Sequence, residues 1–297
     1  MNNLLLFGYS GFVGSNLSNF LINNNTLFFY TRGSKILINH DAVINLIGKA
    51  HDLKNVSSPN EYYKINTELS KEIFDSFLAS KAKVFITLSS VKAVADEVHG
   101  ELTEDDLPNP ITHYGKSKLL AEQYILSQPI PVGKRVYILR PCMIHGPGNK
   151  GNLNLLYKLA SKGIPWPMGA FENKRSFCSI DNLMFIIKEL IEREDIPSGV
   201  YNVADDEALS TNDVISILAD SQNRNAKIWN SPKGLIKSLA KLGDVLRLPL
   251  TTERLQKLTE SYVVSNQKIK FAIGKDLPVS AKDGLLKTFN SFRKSVQ

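Results

Sequence analysis

A tyrosine and a lysine lie four residues apart in the segment THYGKSK, at residues 112–118. The apolar periodicity after this segment predicts a helix over residues 114–126, and residues four apart on a helix share one face. An ammonium group beside a phenol stabilises the phenolate and lowers the phenol pKa, which is ordinarily about 10. Tyr114 and Lys118 are therefore a candidate proton donor and acceptor. The alternative is a surface pair without chemistry.

Two serines follow an apolar run that predicts a buried strand. The segment KVFITLSS ends at Ser89 and Ser90, directly after a predicted strand at residues 84–88. In open parallel α/β sheets, ligands bind in the crevice at the carboxyl ends of the strands. The two hydroxyl groups are therefore predicted to lie in a ligand crevice.

Three glycines recur at intervals of three residues near the start of the chain. The segment LLLFGYSGFVGSNLSNFL contains Gly8, Gly11 and Gly14 between a predicted strand and a predicted helix. The first glycine permits the tight turn, the second lets the backbone approach a pyrophosphate, and the third lets the helix pack closely on the sheet. The helix N-terminus adds free N–H groups and a partial positive charge. The pattern predicts a dinucleotide site, and a tight turn without a ligand is the alternative.

The end of the second predicted strand bears on which dinucleotide fits. A site selective for NAD carries an Asp or Glu about 20 residues beyond the glycine loop, where it binds the ribose 2′-hydroxyl. The segment FFYTRGSK contains no acid there, and the first one that follows is Asp41. Arg32 offers the positive charge that a 2′-phosphate needs, unless it is simply a solvated arginine at a strand end. We expect NADP(H), with NAD(H) as the alternative.

Short apolar runs alternate with helical patterns in the first half of the chain, which is typical of βαβ units. We predict an α/β fold, with a Rossmann-type doubly wound parallel sheet and a smaller, mostly helical C-terminal lobe. Strands are expected at residues 4–7, 27–30, 42–46, 84–88 and 136–139, and helices at residues 13–22, 62–79 and 114–126. The predicted domains are residues 1–148 with 181–204 packed back on them, and a lobe of residues 149–180 and 205–297.

Composition argues against several classes of function. The 297 residues carry a net charge of +7, but no run of basic residues is interleaved with aromatics, so nucleic acid is not an expected partner. Cys142 and Cys178 lie far apart without a CxxC pattern, so neither a disulfide framework nor a metal site is expected. The N-terminus does not resemble a signal peptide, and no apolar stretch approaches the roughly 20 residues that span a bilayer. A cytoplasmic protein is expected.

One basic segment admits two interpretations. Residues 233–248, KGLIKSLAKLGDVLRL, form an amphipathic pattern of helical period. Such a helix is able to lie on a membrane surface. We favour the other interpretation, in which it packs against the smaller lobe.

The motifs together resemble the extended short-chain dehydrogenase/reductase family, in its branch of sugar-nucleotide epimerases, dehydratases and reductases. The resemblance covers nearly the whole chain. It rests on the GxxGxxG loop, the serines at the strand end and the Tyr-x-x-x-Lys pair. Further matching segments are YKINTELSKEIFDSF, ILRPCMIHGPGNKGN, KRSFCSIDNL, GVYNVAD and NQKIKFAIGKDLPVSAKDGL.

The resemblance implies a role for each candidate residue. Tyr114 would be the general acid/base, Lys118 would lower its pKa and hold the nicotinamide ribose, and Ser90 would hydrogen-bond the reacting oxygen. The implied cofactor-binding residues are Gly8, Ser10, Gly11, Phe12, Val13, Gly14, Arg32, Leu46, Ile47, Asn66, Ser89, Tyr114, Lys118, Pro141 and Met143. The implied substrate-binding residues are Ser90, Asn152 and Arg175 for the sugar and diphosphate, and Trp166 for the base.

The chain also departs from the family pattern between its second and third predicted strands. Only about ten residues lie there, where the family fits a helix and a strand, and SKILINH is interpreted as a shortened third strand. A dehydratase is not favoured, because Val91 and Lys92 follow Ser90 where that branch has an Asp–Glu pair.

The resemblance implies chemistry at C4 of a hexose activated by UDP or dTDP. We favour an NADPH-dependent 4-keto reductase for precursors of surface polysaccharides such as O-antigen or capsule. The alternative is a 4-epimerase of UDP-hexose or UDP-N-acetylhexosamine that keeps NAD tightly bound. A non-catalytic, NADP-sensing regulator is a remote alternative. Relatives commonly form homodimers through the helices at residues 62–79 and 114–126, so a homodimer is expected.

Overall fold

Six parallel strands form the central sheet of the protein. The computed structural model describes residues 1–49, 58–149, 152–161, 163, 165–246, 248 and 250–294. From one edge of the sheet to the other, the strands are β2 (Thr26–Phe29), β1 (Asn3–Phe7), β3 (Ala42–Asn45), β4 (Val84–Leu88), β6 (Arg135–Pro141) and β9 (Gly199–Val203). The predicted strands therefore exist, with ends that move by at most two residues.

Helices cover both faces of this sheet. One face carries α1 (Phe12–Leu21), α6 (Ile180–Glu192) and α10 (Gln267–Ile273); the other carries α2 (Pro59–Tyr62), a π-helical segment (Tyr63–Glu68), α3 (Leu69–Ala79) and α4 (His113–Ser127). Side chains of a strand alternate between the two faces. Leu4 and Leu6 accordingly pack in the cluster with α1 and α6, and Leu5 packs in the cluster with α3 and α4. The predicted doubly wound α/β fold is confirmed.

The interpretation of SKILINH as a shortened third strand is wrong. Within the described residues, the chain passes from β2 to β3 without a strand between them. Ile38 is nevertheless buried, in the apolar cluster under α3. The connection is held by packing rather than by strand pairing, and β2 is left as the edge of the sheet.

The predicted helix over residues 62–79 exists but is not one regular helix. Its middle, Tyr63–Glu68, winds as a π-helix between α2 and α3. Short π segments inside helices occur frequently at functional sites. This one contains Asn66, a predicted cofactor-binding residue.

The remaining helices form a lobe beside the carboxyl ends of the strands. It contains α5 (Asn152–Ala160), α7 (Thr211–Ser221), α8 (Lys233–Leu246), α9 (Thr252–Thr259) and α11 (Ala281–Lys294). Short strand pairs tie it to the sheet domain, through β5 (Glu101–Leu102) with β10 (Val263–Val264) and β7 (Met143–His145) with β8 (Phe177–Ser179). Residues 181–204 supply α6 and β9 to the sheet domain, and α10 also lies on it. The exact domain boundaries stay a prediction.

The helices of the described residues are all too short or too polar to cross a bilayer.

Candidate active site

The glycine loop joins β1 to α1 with no room for side chains at two positions. Gly8 has a φ of +80°, and a Cβ there would lie 2.9 Å from the backbone nitrogen of Ile47. A Cβ on Gly14 would lie 2.6 Å from the Cα of Tyr9. A Cβ on Gly11 would meet only the carbonyl oxygen of Gly8, at 3.4 Å. The space beside Gly11 is therefore open to a ligand, as the sequence pattern predicts.

The N-terminus of α1 has the features of an anion site. Gly11 is its N-cap, no side chain caps it, and its first turn contains no acidic residue. The first N–H groups of a helix lack partners within the helix and carry its partial positive charge. The backbone of Phe12, Val13 and Gly14 therefore offers donors to a pyrophosphate, and the side chain of Ser10 is exposed beside them.

The predicted cofactor segments lie around this loop. Leu46 and Ile47 follow β3 and approach Gly8, and the backbone nitrogen of Leu46 donates to Phe7 at 2.9 Å. Pro141 ends β6 and Met143 begins β7, in the segment that runs to Gly146. The ring of Phe12 lies 3.5 Å from where a Cβ of Gly146 would be. The structure thus brings these segments to the same edge of the sheet.

Tyr114 is held in place by the start of α4. Thr112 is the N-cap, and its side chain accepts a hydrogen bond from the backbone nitrogen of Gly115 at 3.2 Å. The carboxylate of Asp96 in turn accepts hydrogen bonds from the backbone nitrogens of Ile111 and Thr112, at 2.6 and 3.2 Å. These contacts fix the first turn of α4, which contains Tyr114.

Gly115 allows α4 to approach the end of β4. A Cβ at this position would overlap the carbonyl oxygen of Lys92 and lie 2.8 Å from the Cβ of Pro110. The 3₁₀ turn Val91–Ala93, which Ser90 caps, is therefore pressed against the helix. The glycine in YGKSK sets this separation, so the phenol of Tyr114 can reach the serine hydroxyl.

The phenol of Tyr114 lies beside the hydroxyl of Ser90 at the carboxyl end of β4. Burial raises the pKa of Tyr114 above its ordinary value, and the interaction with Ser90 opposes that rise. The expectation that Lys118 lowers the pKa of this phenol is wrong for the structure described here. Its pKa is raised, because the loss of solvent outweighs the other influences.

Lys118, one turn after Tyr114 on α4, is almost completely buried. Its Nζ donates to the carbonyl oxygen of Leu88 at 2.8 Å. Burial lowers the pKa of Lys118 to about 8, and Glu122 opposes this shift. The amine is therefore charged at neutral pH but close to titration. A Cβ on Gly48 would lie 3.0 Å from Nζ, so this amine also faces the loop after β3.

A buried ion pair lies one turn beyond Lys118. The guanidinium of Arg140 donates to both carboxylate oxygens of Glu122, at distances of 2.5–3.1 Å. Both side chains are less than one-tenth exposed. The pair joins α4 to β6 and places a carboxylate on the helix face that carries Lys118.

Ser89 is the buried hydroxyl in this region that has no partner among the described residues. Its Oγ borders a cavity of about 10 Å³, lined also by Thr87, Lys118 and Glu122. A space of that size holds about one water molecule. Buried polar atoms without partners are uncommon in native proteins and call for a ligand or a water.

Asn66 organises the loop after β3 rather than pointing an unused group at a ligand. Its amide donates to Ser117 at 2.9 Å and to the carbonyl of Lys49 at 3.1 Å, and its oxygen accepts from the nitrogen of Lys49 at 2.7 Å. It lies beside the cofactor segments, and its role in binding the cofactor stays a prediction. Its contacts make it a residue that holds the loop at Lys49.

Arg32 is exposed beyond the end of β2. Asp41 lies at the amino end of β3 and accepts a hydrogen bond from the nitrogen of Asn3 at 2.7 Å. All strands of a parallel sheet start on one side of the sheet and end on the other. Asp41 therefore lies at the side opposite the carboxyl ends, where the cofactor ribose is expected. No acidic side chain lies between β2 and Asp41.

The predicted substrate residues have more varied surroundings. Arg175 forms an ion pair with Glu260 at 2.7 Å and donates to the carbonyl of Lys257 at 3.0 Å. Its guanidinium is therefore already engaged with the end of α9. Asn152 is the first residue of α5, and its side chain lies outside the described part of the chain.

Trp166 lies in the lobe, on the wall of a crevice of about 590 Å³ between α5 and α7. Its backbone nitrogen donates to Lys227, and its carbonyl accepts from Trp229, both at 2.8 Å. Both groups are therefore used within the lobe, and the expectation that residues 166–169 line the base through backbone contacts stays a prediction. Its indole ring remains available to line a ligand.

Sequence reasoning missed the residues that support the site. Asp96 and Gly115 position α4, and the Glu122–Arg140 pair lies behind Lys118. Tyr262 lies beneath the Lys92 ammonium, 4.2 Å from its ring centroid. Only Gly115, within YGKSK, carried a signal in the sequence.

Within the described ranges, no three His, Cys, Asp or Glu side chains come together in a way that suits a metal ion.

Comparison with known proteins places this arrangement in a family. The model of the NAD dependent epimerase/dehydratase family matches residues 31–204. The UDP-glucose 4-epimerase of Vibrio cholerae is 27% identical over 97% of this chain and 95% of its own length. The N-acetyl-alpha-D-glucosaminyl-diphospho-ditrans,octacis-undecaprenol 4-epimerase of Escherichia coli O157:H7 is 28% identical over 78% of this chain and 76% of its own. The structure of RMD from Pseudomonas aeruginosa with NADPH superimposes with a TM-score of 0.74 at 20% identity, and covers both chains completely.

The chain belongs to the NAD dependent epimerase/dehydratase family. It is an enzyme of this sugar-nucleotide epimerase and reductase group, for which an NAD(P) cofactor is typical. The remote alternative of a non-catalytic regulator is accordingly set aside.

Proposed function

We propose that the enzyme transfers a hydride and a proton at C4 of a diphosphate-linked hexose, with Tyr114 as the general acid/base. The observation that carries this proposal is the proximity of the Tyr114 phenol to the Ser90 hydroxyl at the carboxyl end of β4. Ligands of doubly wound sheets bind at that edge. The uncapped N-terminus of α1, the exposed space at Gly11 and the unpartnered hydroxyl of Ser89 fit a dinucleotide there.

The nicotinamide ring, when bound, supplies or accepts the hydride. The protein residues handle the proton and the charge. A phenol keeps its proton at neutral pH, and burial raises the pKa of Tyr114 further, so it serves as the donor to a C4 ketone oxygen. Ser90 hydrogen-bonds the same oxygen. Lys118, charged below about pH 8, is the proposed donor to the ribose hydroxyls of the cofactor.

We propose the reductive direction, with exchangeable NADPH and a 4-keto hexose as substrate. The end of β2 supports NADPH over NAD, because Arg32 is exposed there and Asp41 lies at the opposite edge of the sheet. A guanidinium suits a 2′-phosphate, whereas an acid would repel it. A protonated Tyr114 suits the same direction, because reduction of a ketone consumes a proton.

A 4-epimerase is the second candidate, and the relatives favour it. Both curated relatives described above bear the name of a 4-epimerase. The same residues would serve this reaction. Tyr114 would take the proton of the C4 hydroxyl in the first half-reaction and return it in the second, while NAD stayed bound.

The two reactions differ in cofactor consumption. The purified enzyme is incubated with UDP-glucose, UDP-N-acetylglucosamine and their 4-keto-6-deoxy derivatives, with and without NADPH. A reductase consumes one NADPH for each keto sugar. Inversion at C4 of the UDP sugars without net loss of NADPH would identify the epimerase and contradict the proposed direction. Absence of both reactions would contradict the chemistry at C4 of these substrates.

We propose UDP or dTDP as the carrier of the hexose, in the supply of precursors for surface polysaccharide. Asn152 and Arg175 are the proposed ligands of the diphosphate, and the ring of Trp166 the proposed neighbour of the base. Arg175 then has to exchange Glu260 for phosphate oxygens, which bind a guanidinium with two parallel hydrogen bonds.

We also propose a homodimer through α3 and α4. Leu120 and Leu126 of α4 are exposed, at 44% and 57%, on a helix that would otherwise present polar residues to water. Light scattering of the purified protein tests the mass. A monomer at micromolar concentration would contradict this assembly.

A further inference from the structure

Helix α8 packs on the protein through only part of its apolar surface. Ile236, Ala240 and Gly243 are buried. The first two belong to an apolar cluster with Met168 and Phe171. The expected packing of this helix against the smaller lobe is therefore confirmed, but it accounts for one side of the helix.

A second row of apolar side chains on α8 is exposed. Leu235, Leu239, Leu242 and Leu246 recur at intervals of three and four residues, which places them in one stripe along the helix. We call these four residues the leucine stripe. Their exposed fractions are 45–58%. Surface helices normally present polar residues to water, so a stripe of this length needs an explanation.

The neighbourhood of the leucine stripe is also unusually apolar. The described residues include 21 large apolar side chains that are exposed, and seven of them lie between Trp229 and Leu248. Contiguous exposed apolar surface marks an interaction site more often than scattered single residues do. The exposed patch is therefore concentrated on this one helix and its two flanks.

The same segment carries most of the net charge of the protein. Residues 224–250 contain six Lys and Arg residues and a single acid, Asp244, whereas the whole chain has a net charge of +7. The carboxylate of Asp244 is engaged with the backbone nitrogen and the hydroxyl of Thr252 at the start of α9. The leucine stripe thus belongs to a strongly basic segment, in which the lysines of α8 lie on the side of the helix away from the stripe. Lys233, Lys237 and Lys241 supply charge from α8 itself.

We propose that α8 docks through the leucine stripe on the surface of a bilayer that contains anionic lipids. A helix of this kind buries its apolar side at the boundary between headgroups and acyl chains, and each basic residue near the surface adds attraction to anionic headgroups. The long lysine side chains reach towards the headgroups from the polar side of the helix.

A second copy of the chain is a poorer occupant of this surface. In a two-fold symmetric dimer the same patch meets itself. Two segments with a net charge of +5 each would then face one another, and like charges brought together across an interface are destabilising. An anionic surface complements the charge of the segment, so it is the occupant that the composition favours.

Docking would bring the substrate lobe to the bilayer surface. Helix α8 packs on α9, and the last turn of α9 supplies the carbonyl of Lys257 that binds Arg175. The docked helix is thus linked through α9 to Arg175, the proposed ligand of the substrate diphosphate. The proposal does not depend on the direction of the reaction at C4.

Sedimentation with vesicles tests the docking directly. The full chain is mixed with vesicles of neutral phosphatidylcholine, or of phosphatidylcholine with about one-third phosphatidylglycerol, and the bound fraction is measured at low and high salt. We expect the wild type to bind the mixed vesicles. Affinity for these vesicles should fall at least tenfold in the double variant Leu239→Glu/Leu242→Glu, and it should also weaken in the double variant Lys237→Glu/Lys241→Glu. Leu107 is an exposed leucine far from α8 in the sequence. Leu107→Glu is therefore the control and should bind as the wild type does. Trp229 fluorescence should shift to shorter wavelength on binding.

Three results would overturn the proposal. The first is that the wild type does not bind the mixed vesicles, and the second is that the double leucine variant binds them as well as the wild type does. The third is that the double leucine variant changes from dimer to monomer while neither protein binds vesicles. The last result would assign the leucine stripe to a second copy of the chain. Because the substituted leucines are exposed, unchanged thermal unfolding should accompany each variant.

Discussion

The Nζ of Lys118 donates a hydrogen bond to the carbonyl oxygen of Leu88 at 2.8 Å. This contact ties α4, which carries Tyr114, to the last residue of β4, directly before Ser89 and Ser90. An ammonium has three donors, so two remain for other acceptors such as ribose hydroxyls. Lys118 therefore links α4 to β4 and keeps two donors for a ligand.

The low pKa of Lys118 makes stability depend on pH. Its pKa is about 8 when folded and about 10.5 when exposed, so between these values the unfolded chain holds more protons. Stability should therefore rise as pH increases from 8 to 10.5, with the full penalty present below pH 8. For a buried group this amounts to about 3 kcal/mol. The free energy of unfolding of cofactor-free protein, measured in urea, should rise from pH 8 to 10.5. The rise should be larger than the rise that Lys118→Met shows over the same pH range. Parallel profiles for both proteins would contradict the assignment.

Two alanine substitutions in the glycine loop should separate binding from stability. Gly11→Ala meets only the carbonyl of Gly8, so thermal unfolding should change little while the methyl group blocks the dinucleotide. Gly14→Ala overlaps the backbone at Tyr9, which should destabilise the protein by about 1–3 kcal/mol. NADPH titration by fluorescence and thermal unfolding measure the two effects. Full affinity in Gly11→Ala would remove the dinucleotide from this loop.

The preference for NADP(H) should depend on Arg32. Removing a charge-assisted hydrogen bond costs about 1.5–3 kcal/mol, which corresponds to roughly tenfold or more in affinity. Arg32→Ala should weaken NADPH binding by that factor and leave NADH binding unchanged. Lys282→Ala, exposed on α11, is the matched loss of one charge elsewhere. Equal effects on both cofactors, or no effect, would speak against a 2′-phosphate at Arg32.

The buried pair of Glu122 and Arg140 should be costly to break. Removing one partner of a buried ion pair leaves the other charge uncompensated, at a cost of about 3–5 kcal/mol. Glu122→Gln should lower the free energy of unfolding by this amount. Glu192→Gln breaks the exposed pair with Lys188 and should cost under about 1 kcal/mol. Similar losses in the two variants would mean that the buried pair is not special.

The elements that depend on local sequence patterns could be predicted from the sequence. Buried parallel strands are continuous apolar runs, and Val84–Leu88 is present over the predicted residues. The glycine loop was also readable, because positive φ at Gly8 and close packing at Gly14 each require glycine. SKILINH was misread because an apolar run indicates burial without saying whether the chain pairs with a strand or only packs, as Ile38 does.

The parts that could not be predicted depend on contacts between distant segments. The carboxylate of Asp96 accepts a hydrogen bond from the backbone of Thr112, sixteen residues later. Arg140 on β6 pairs with Glu122 on α4. The pKa of Tyr114 follows from its burial, and no spacing of residues reports burial. The engagement of Arg175 with Glu260 likewise joins residues 85 positions apart.

Substitution of Tyr114 by phenylalanine tests the central claim most directly. The variant keeps the ring and loses the hydroxyl that lies beside Ser90, so NADPH affinity should stay within about twofold. Turnover of the accepted keto sugar or UDP sugar should fall by about 10²–10⁴, the usual contribution of a positioned acid/base. Unchanged turnover in a variant that binds NADPH normally would contradict the role of Tyr114 and, with it, the account of the site.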